Sequence, residues 1–185
     1  MNIQEFRLTF RNKYPSSFID AVYFVLVKEG AFNGRAGYVN DPTDRGGETK
    51  YGISKRSFPN LDIAGLTLVK AVSIYHRNYW RAVRANLFSD RLAFVLFDAA
   101  VQHGHITAIK FLQELAGVKQ DGIVGHKTAK AAGNINDPFL ATALIIRRGR
   151  FYSRIVLRRP NQARYIKGWF NRLRDLNFAL SATKG

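Results

Sequence analysis

"SSFIDAVYFVLVKEG" (residues 16–30) runs directly into "AFNGRAGYVNDPTDRGGETKYGIS" (residues 31–54), and the fold turns on how this junction is read. The first segment has helical spacing. Ser16 or Ser17 stands where an N-cap belongs, Phe18, Val22, Val25 and Leu26 form an apolar face, and Gly30 is a stop signal. The second segment has no such period. Gly, Asn, Asp and Pro punctuate short pieces such as "GYVN" and "TKYGIS", which predicts a small β-hairpin near residues 38–53. Glu29 therefore closes an apolar helix and opens onto a polar, glycine-rich loop. At that end of a helix the macrodipole disfavours a charged carboxylate, as burial against apolar neighbours also would.

Working outward, helical spacing returns in "LTLVKAVSIYHRNYW" through Leu66, Val69, Val72, Tyr75 and Tyr79, and in "DRLAFVLFDAAVQHG" through Leu92, Val95, Leu96 and Ala99. "TAIKFLQELAGV" is a third helical stretch, ended by Gly117. "DPFLATALIIRRGRFYSRIVLRR" is a longer one with Leu140, Leu144, Phe151 and Ile155 in a stripe, and Pro160 stops it. "ARYIKGWFNRLRDLNFAL" forms the last. The expected fold class is α+β, predominantly α, with one small hairpin. No repeat or low-complexity segment interrupts it.

The 185 residues suit one domain, or one domain with two lobes, and can bury a real core. The absence of cysteine excludes a disulfide framework and thiolate chemistry. The run "FIDAVYFVLV" is about half of the roughly 20 residues a membrane span needs. No signal-peptide pattern precedes it, so a chain made in the cytoplasm is expected. A net charge of +16 favours polyanionic partners: nucleic acid, acidic lipid or an acidic cell-envelope polymer. The charge is uneven, with ten Arg or Lys residues and no acid from Arg147 to Arg174.

Glycosidic bond cleavage needs an acid to protonate the leaving oxygen and a second group to activate water or stabilise the developing cation. Glu29 at the helix end, facing a hairpin with Asp41, Asp44 and Thr49, can supply both, with Thr49 holding a water that Asp44 polarises. Gly46 and Gly47 let the backbone approach a sugar closely. The competing reading is that Asp41 and Asp44 only shape turns, since Asn-Asp-Pro and Asp-Arg-Gly-Gly are ordinary turn sequences. Tyr51, Tyr79 and Trp80 are candidate sugar-binding aromatics, although aromatics at a helix end usually pack.

The order "EG…YVNDPTDRGGETKYGIS", "IYHRNYW", "FDAAVQHG" resembles the N-acetylmuramidases of glycoside hydrolase family 108. Their motif runs Glu-Gly-Gly, then Asp-x-Gly-Gly-x-Thr-x-Tyr-Gly-Ile. "LQELAGVKQDGIVGHKTAKA" with "YIKGWFNRL" is similar to that family's C-terminal peptidoglycan-binding-type module, so the likeness spans about Phe18 to Leu180. It implies a lysozyme-like catalytic lobe over residues 1–104 and a helical C-terminal lobe over 105–185. It also implies cleavage of the β-1,4 bond between N-acetylmuramic acid and N-acetylglucosamine. The essential glutamate falls on Glu29, the motif's aspartate on Asp44 and its threonine on Thr49. Two departures stand beside Glu29: Ala31 replaces the second glycine, and "FNGRAG" precedes "YVNDP". An insertion there is able to shift the hairpin relative to Glu29, which leaves the roles of Asp44 and Thr49 less secure than that of Glu29.

Several features have plainer readings. Asp121, Gly122 and Gly125 in "DGIVGHKT" make a turn before a helix or, equally, part of a wall-binding surface. Trp169 and Phe170 read as core. Arg147, on the apolar stripe of its helix, reads as snorkelling or paired with a buried acid. Asp98 reads as a structural hydrogen-bonding partner. His76, His103, His105 and His126 lack metal-ligand spacing, so neither metal nor cofactor is expected. The leading function is a monomeric muramidase, a phage endolysin or a virion-borne lytic enzyme, acting on peptidoglycan in the cell wall. Its alternatives are a lytic transglycosylase on the same bond, or a nucleic-acid-binding protein supported by charge alone. Anionic envelope polymers and the membrane surface are further expected partners of the basic C-terminal helices.

Overall fold

The computed structural model of the chain describes residues 1–40 and 47–182. It comprises two compact units, Met1–Asn78 and Tyr79–Gly185. In the first, helix α1 (Ile3–Phe10) precedes α2 (Ser16–Lys28), the strands β1 (Thr49–Lys50) and β2 (Ile53–Ser54), and α3 (Leu68–Tyr75). The second contains α4 (Asp90–His103), α5 (His105–Leu115), α6 (His126–Gly133), α7 (Asp137–Arg158) and α8 (Ile166–Ala182). The boundary falls within a π-helical turn, His76–Trp80. The fold is α+β and mostly α, with one antiparallel hairpin among the described residues.

α1 is specified by a capping box that the sequence reading passed over. Asn2 Oδ1 accepts from the N–H groups of Gln4 and Glu5, and Glu5 accepts in return from Asn2 N–H at 2.9 Å. Arg7 then grips Asp20 of α2 through two hydrogen bonds of 2.7 and 2.8 Å. The rings of Phe6, Phe10, Tyr14, Phe18, Tyr23 and Phe32 pack on one another, most of them tilted, at centroid separations of 4.7–6.2 Å. Burying such side chains contributes roughly 1.5–3 kcal/mol each, so the aromatic cluster fixes the shaft of α2. The expected serine cap is absent. Pro15 occupies the N-cap and no side chain bonds the first N–H groups; proline's preset φ starts the helix instead.

In the second unit α4 is buried continuously from Leu92 to Ala100 and packs on α5, α7 and α8. A helix buried on all sides belongs at a core, and the second compact unit accordingly begins well before His105, where the sequence motifs placed the lobe boundary. α7 starts with Asn136, whose side chain accepts from Phe139 N–H, and ends at Arg158 just before Pro160. A 3-10 turn, Pro160–Tyr165, follows it, and α8 packs against α7.

Candidate active site

The end of α2 is a complete Schellman motif. Gly30, with φ +69°, donates to Val27 O, and Ala31 donates to Leu26 O at 2.9 Å. Glu29 is thereby the C-cap residue, and its half-buried side chain leaves the helix at the turn. The motif also accounts for Ala31. That position needs no glycine, and its methyl is 5% exposed, meeting the apolar requirement that accompanies a Schellman end next to fully buried Leu26.

The insertion "FNGRAG" does not displace the hairpin from Glu29. Phe32 stacks on Tyr23 with rings 5.2 Å apart, which anchors the segment to the aromatic cluster. Gly37 then crosses the Glu29 carbonyl so closely that a β-carbon there would collide with it. Val39 and Thr49 pair through two backbone bonds of 2.9 and 2.8 Å, and Thr49–Lys50 pairs with Ile53–Ser54. Tyr51 and Gly52, both with positive φ (53° and 75°), turn the hairpin, the signature of a type I′ turn.

That turn is pressed onto the glutamate. A β-carbon on Gly52 would stand 2.5 Å from Glu29 Cγ and 2.7 Å from Tyr75 Oη. Tyr75, 1% exposed, donates its hydroxyl to Tyr51 O at 2.8 Å. Tyr51 N–H donates to Ala36 O at 3.1 Å, and Ala36 also lies in the left-handed region, at φ 53°. A non-glycine residue there costs on the order of 1–3 kcal/mol and persists where the surroundings over-determine it. Two such residues, bonded to each other, each adjoin a glycine that lies against Glu29. The aliphatic stem of Glu29 is clamped between Gly52 and the helix end, which restricts the positions its carboxyl can take.

The other expected site residues fall in different places. Asp41 and Asp44 lie outside the described residues. Thr49 is half-buried and opens β1; its hydroxyl donates to Gly47 O at 3.2 Å and retains lone pairs to accept. Tyr51 belongs to the turn itself, with the Lys50 ammonium 5.7 Å from its ring centroid. Tyr79 is half-buried at the start of the second unit. Trp80 is 1% exposed, donates Nε1–H to Asn86 and packs its ring on Phe97. It is a core side chain, and this corrects its reading as a stacking platform. Gly37, Gly52 and Tyr75 went unassigned in the sequence. "YG" at a strand junction was the available signal for the turn.

In the second unit, Asp98 is fully buried and ion-paired on both oxygens, to Arg148 Nη2 at 2.7 Å and Arg172 Nη2 at 2.8 Å. Burial alone would raise its pKa, but the two guanidiniums outweigh burial and hold the carboxyl below its usual range. Arg148 Nε–H donates to His103 Nε2 at 3.3 Å, so that nitrogen carries the lone pair. Burial, with Arg148 beside it, lowers the His103 pKa from 6.5 to about 3. Arg147 reads as expected: it pairs with Glu114 at 2.8 Å and lies 4.2 Å over the Phe111 ring.

"DGIVGHKT" is organised by a residue the sequence did not point to. Buried Gln113 donates to Asp121 Oδ1, Ile123 O and Thr128 Oγ1, and accepts from Gly122 N–H at 2.9 Å. The segment is a stapled turn leading into α6. Phe170, expected in the core, is 45% exposed, whereas Trp169 stacks on Tyr152 at 4.7 Å. Among the described residues no group of three His, Cys, Asp or Glu is placed to hold a metal, and no helix is long and apolar enough to cross a membrane.

A glutamate fixed at a helix end against a glycine hairpin is the arrangement of a lysozyme-like glycosidase. Residues 22–104 match the family described as Glycosyl hydrolase 108, and residues 107–174 match the one described as Predicted Peptidoglycan domain. Among solved structures it is similar to Brucella abortus SagA, at 28% identity and a TM-score of 0.76 over 89% of this chain and 94% of that one. No functionally curated protein sequence matches it. The protein is a glycoside hydrolase acting on peptidoglycan.

Proposed function

We propose that the chain is a muramidase that hydrolyses the β-1,4 bond between N-acetylmuramic acid and N-acetylglucosamine, with Glu29 as the general acid. The observation that carries this reading is the clamp on Glu29: a Schellman C-cap on one side and Gly52, Tyr75 and the strained Tyr51–Ala36 pair on the other. An acid that must meet one glycosidic oxygen gains from such restriction, because misplacement by about 1 Å costs on the order of 100-fold.

In this mechanism protonated Glu29 donates to the leaving oxygen as the anomeric carbon acquires positive charge. Water attacks that carbon, oriented by Thr49 and deprotonated by Asp44, with Asp41, Tyr51 and Tyr79 contacting the sugars. Lysis or penetration of a bacterial wall, in a phage setting, is the use such a product would serve. The positive surface supports an encounter with an acidic wall that weakens as salt screens it.

Product analysis tests the bond and the chemistry together. Sacculi digested with the wild type should yield reducing-end muramic acid by mass spectrometry. Anhydromuramic ends would replace hydrolysis with a transglycosylase reaction, and reducing-end glucosamine would move the cut to the other glycosidic bond.

A further inference from the structure

The second unit carries a hollow of about 530 Å³ that the catalytic reading does not use. It is lined by Arg147, Arg154, Arg158, Arg159, Phe151 and Trp169, among others, and no acid lines it. The three arginines of the α7 end and its exit, Arg154, Arg158 and Arg159, are exposed, so they form a solvated cationic rim. Arg147 is different. Its side chain is 9% exposed, and its Nε and Nη2 are both spent on Glu114. Its remaining nitrogen, Nη1, is buried with no hydrogen-bond partner. A buried guanidinium N–H left unpaired costs about 1–3 kcal/mol. Arg147 also borders a smaller hollow of about 230 Å³, but there Glu114 is part of the lining and disfavours an anion.

The chemistry of the larger hollow narrows the ligand. Exposed arginine forks suit carboxylates, which they engage bidentately. Arg147, already neutralised by Glu114 and stacked over Phe111, adds a flat wall rather than free charge. Phe151, Trp169 and neighbouring Ile155 offer apolar wall to methyl or methylene groups. A bare sugar has no use for the arginines, and a phosphate polymer has none for the aromatic wall. The volume lies in the range that encloses a ligand of a few hundred daltons. We propose that this hollow binds a short acidic peptide, the carboxylate-bearing stem that peptidoglycan carries on muramic acid. The proposal rests on the peptidoglycan reading of the chain and extends it from the glycan to the peptide.

The test uses the full chain carrying Glu29→Gln, titrated calorimetrically with the free stem tetrapeptide Ala-γGlu-diaminopimelate-Ala, with the same peptide amidated at its carboxyls, and with phosphatidylglycerol vesicles. The expected result is binding of the free peptide, at least tenfold weaker binding of the amidated one, and at least a tenfold loss on adding Arg154→Gln and Arg158→Gln. Both of those side chains are exposed, so the fold should hold, and an unchanged melting temperature verifies it. Trp169→Phe provides a second variant at the apolar wall, expected to weaken the peptide a few-fold. Equal binding of free and amidated peptide, no peptide binding, or arginine substitutions that change only vesicle binding would each overturn the proposal. Wild-type release of muramic acid ends is scored separately, so failure of the peptide site and failure of the muramidase reading are distinguishable.

Discussion

The chain holds two carboxylates in opposite circumstances. Asp98 is fully buried and satisfied by two guanidiniums from α7 and α8, and its charge is fixed. Glu29 is half-buried at a helix end, held through its stem and its backbone by glycine contacts. Ion pairs on both oxygens hold the Asp98 charge in place, whereas the stem of Glu29 is set by the close approach of Gly52. Position is controlled in both, but by charge in one and by shape in the other.

The sharpest way to break that contrast is to remove one partner of the ion-paired cluster. Asp98→Ala strands two buried guanidiniums and should cost about 3–5 kcal/mol, read as a fall in the urea midpoint. A loss under 1 kcal/mol would mean that the cluster is solvated and the contrast misdrawn. Gly52→Ala attacks the shape side. The added methyl meets Glu29 Cγ and Tyr75 Oη at a positive φ, so about 1–3 kcal/mol of strain is expected. Turnover should fall ten-fold or more, and activity near the wild-type level would show that the hairpin does not position the glutamate.

Acid sharpens the comparison further. His103 is neutral in the fold, its pKa lowered from 6.5 to about 3, so the unfolded chain binds the extra proton between those values. Stability from this group is complete above pH 6.5 and is lost as pH falls toward 3, at up to about 1.4 kcal/mol per pH unit. Asp98, with its lowered pKa, adds loss in the same direction at the acid end. His103→Gln should flatten the melting-temperature profile between pH 6.5 and 4. The smallest effect belongs to Tyr75→Phe, which removes the hydroxyl that holds Tyr51 O and should cost about 1 kcal/mol, with a larger proportional loss of turnover than of stability.

Much of the first unit was legible because its signals are local. Glu29, the apolar face of α2 and the Gly30 stop all lie within one helix and its cap. The hairpin was legible as turn chemistry, but Tyr51 in a left-handed conformation was not, since tyrosine is an uncommon choice there and its hold comes from Tyr75, 24 residues away. The partners of Asp98 lie 50 and 74 residues along the chain, beyond any periodic pattern. Gln113 gave no signal because amides are usually exposed. The sequence also misled at Trp80 and Phe170, where an aromatic near a helix end was buried in one case and exposed in the other. α1 was readable in principle, from Asn2 and Glu5 at capping-box spacing.

One measurement bears most directly on Glu29 as the acid: turnover of Glu29→Gln on purified sacculi, normalised to folded protein by its melting curve. Glutamine keeps the stem that Gly52 clamps and removes only the transferable proton. The prediction is a loss of about 100- to 10,000-fold in released muramic acid ends, with a melting temperature within a degree or two of the wild type. Activity retained within a few-fold at an unchanged melting temperature would contradict it and move the chemistry away from the end of α2.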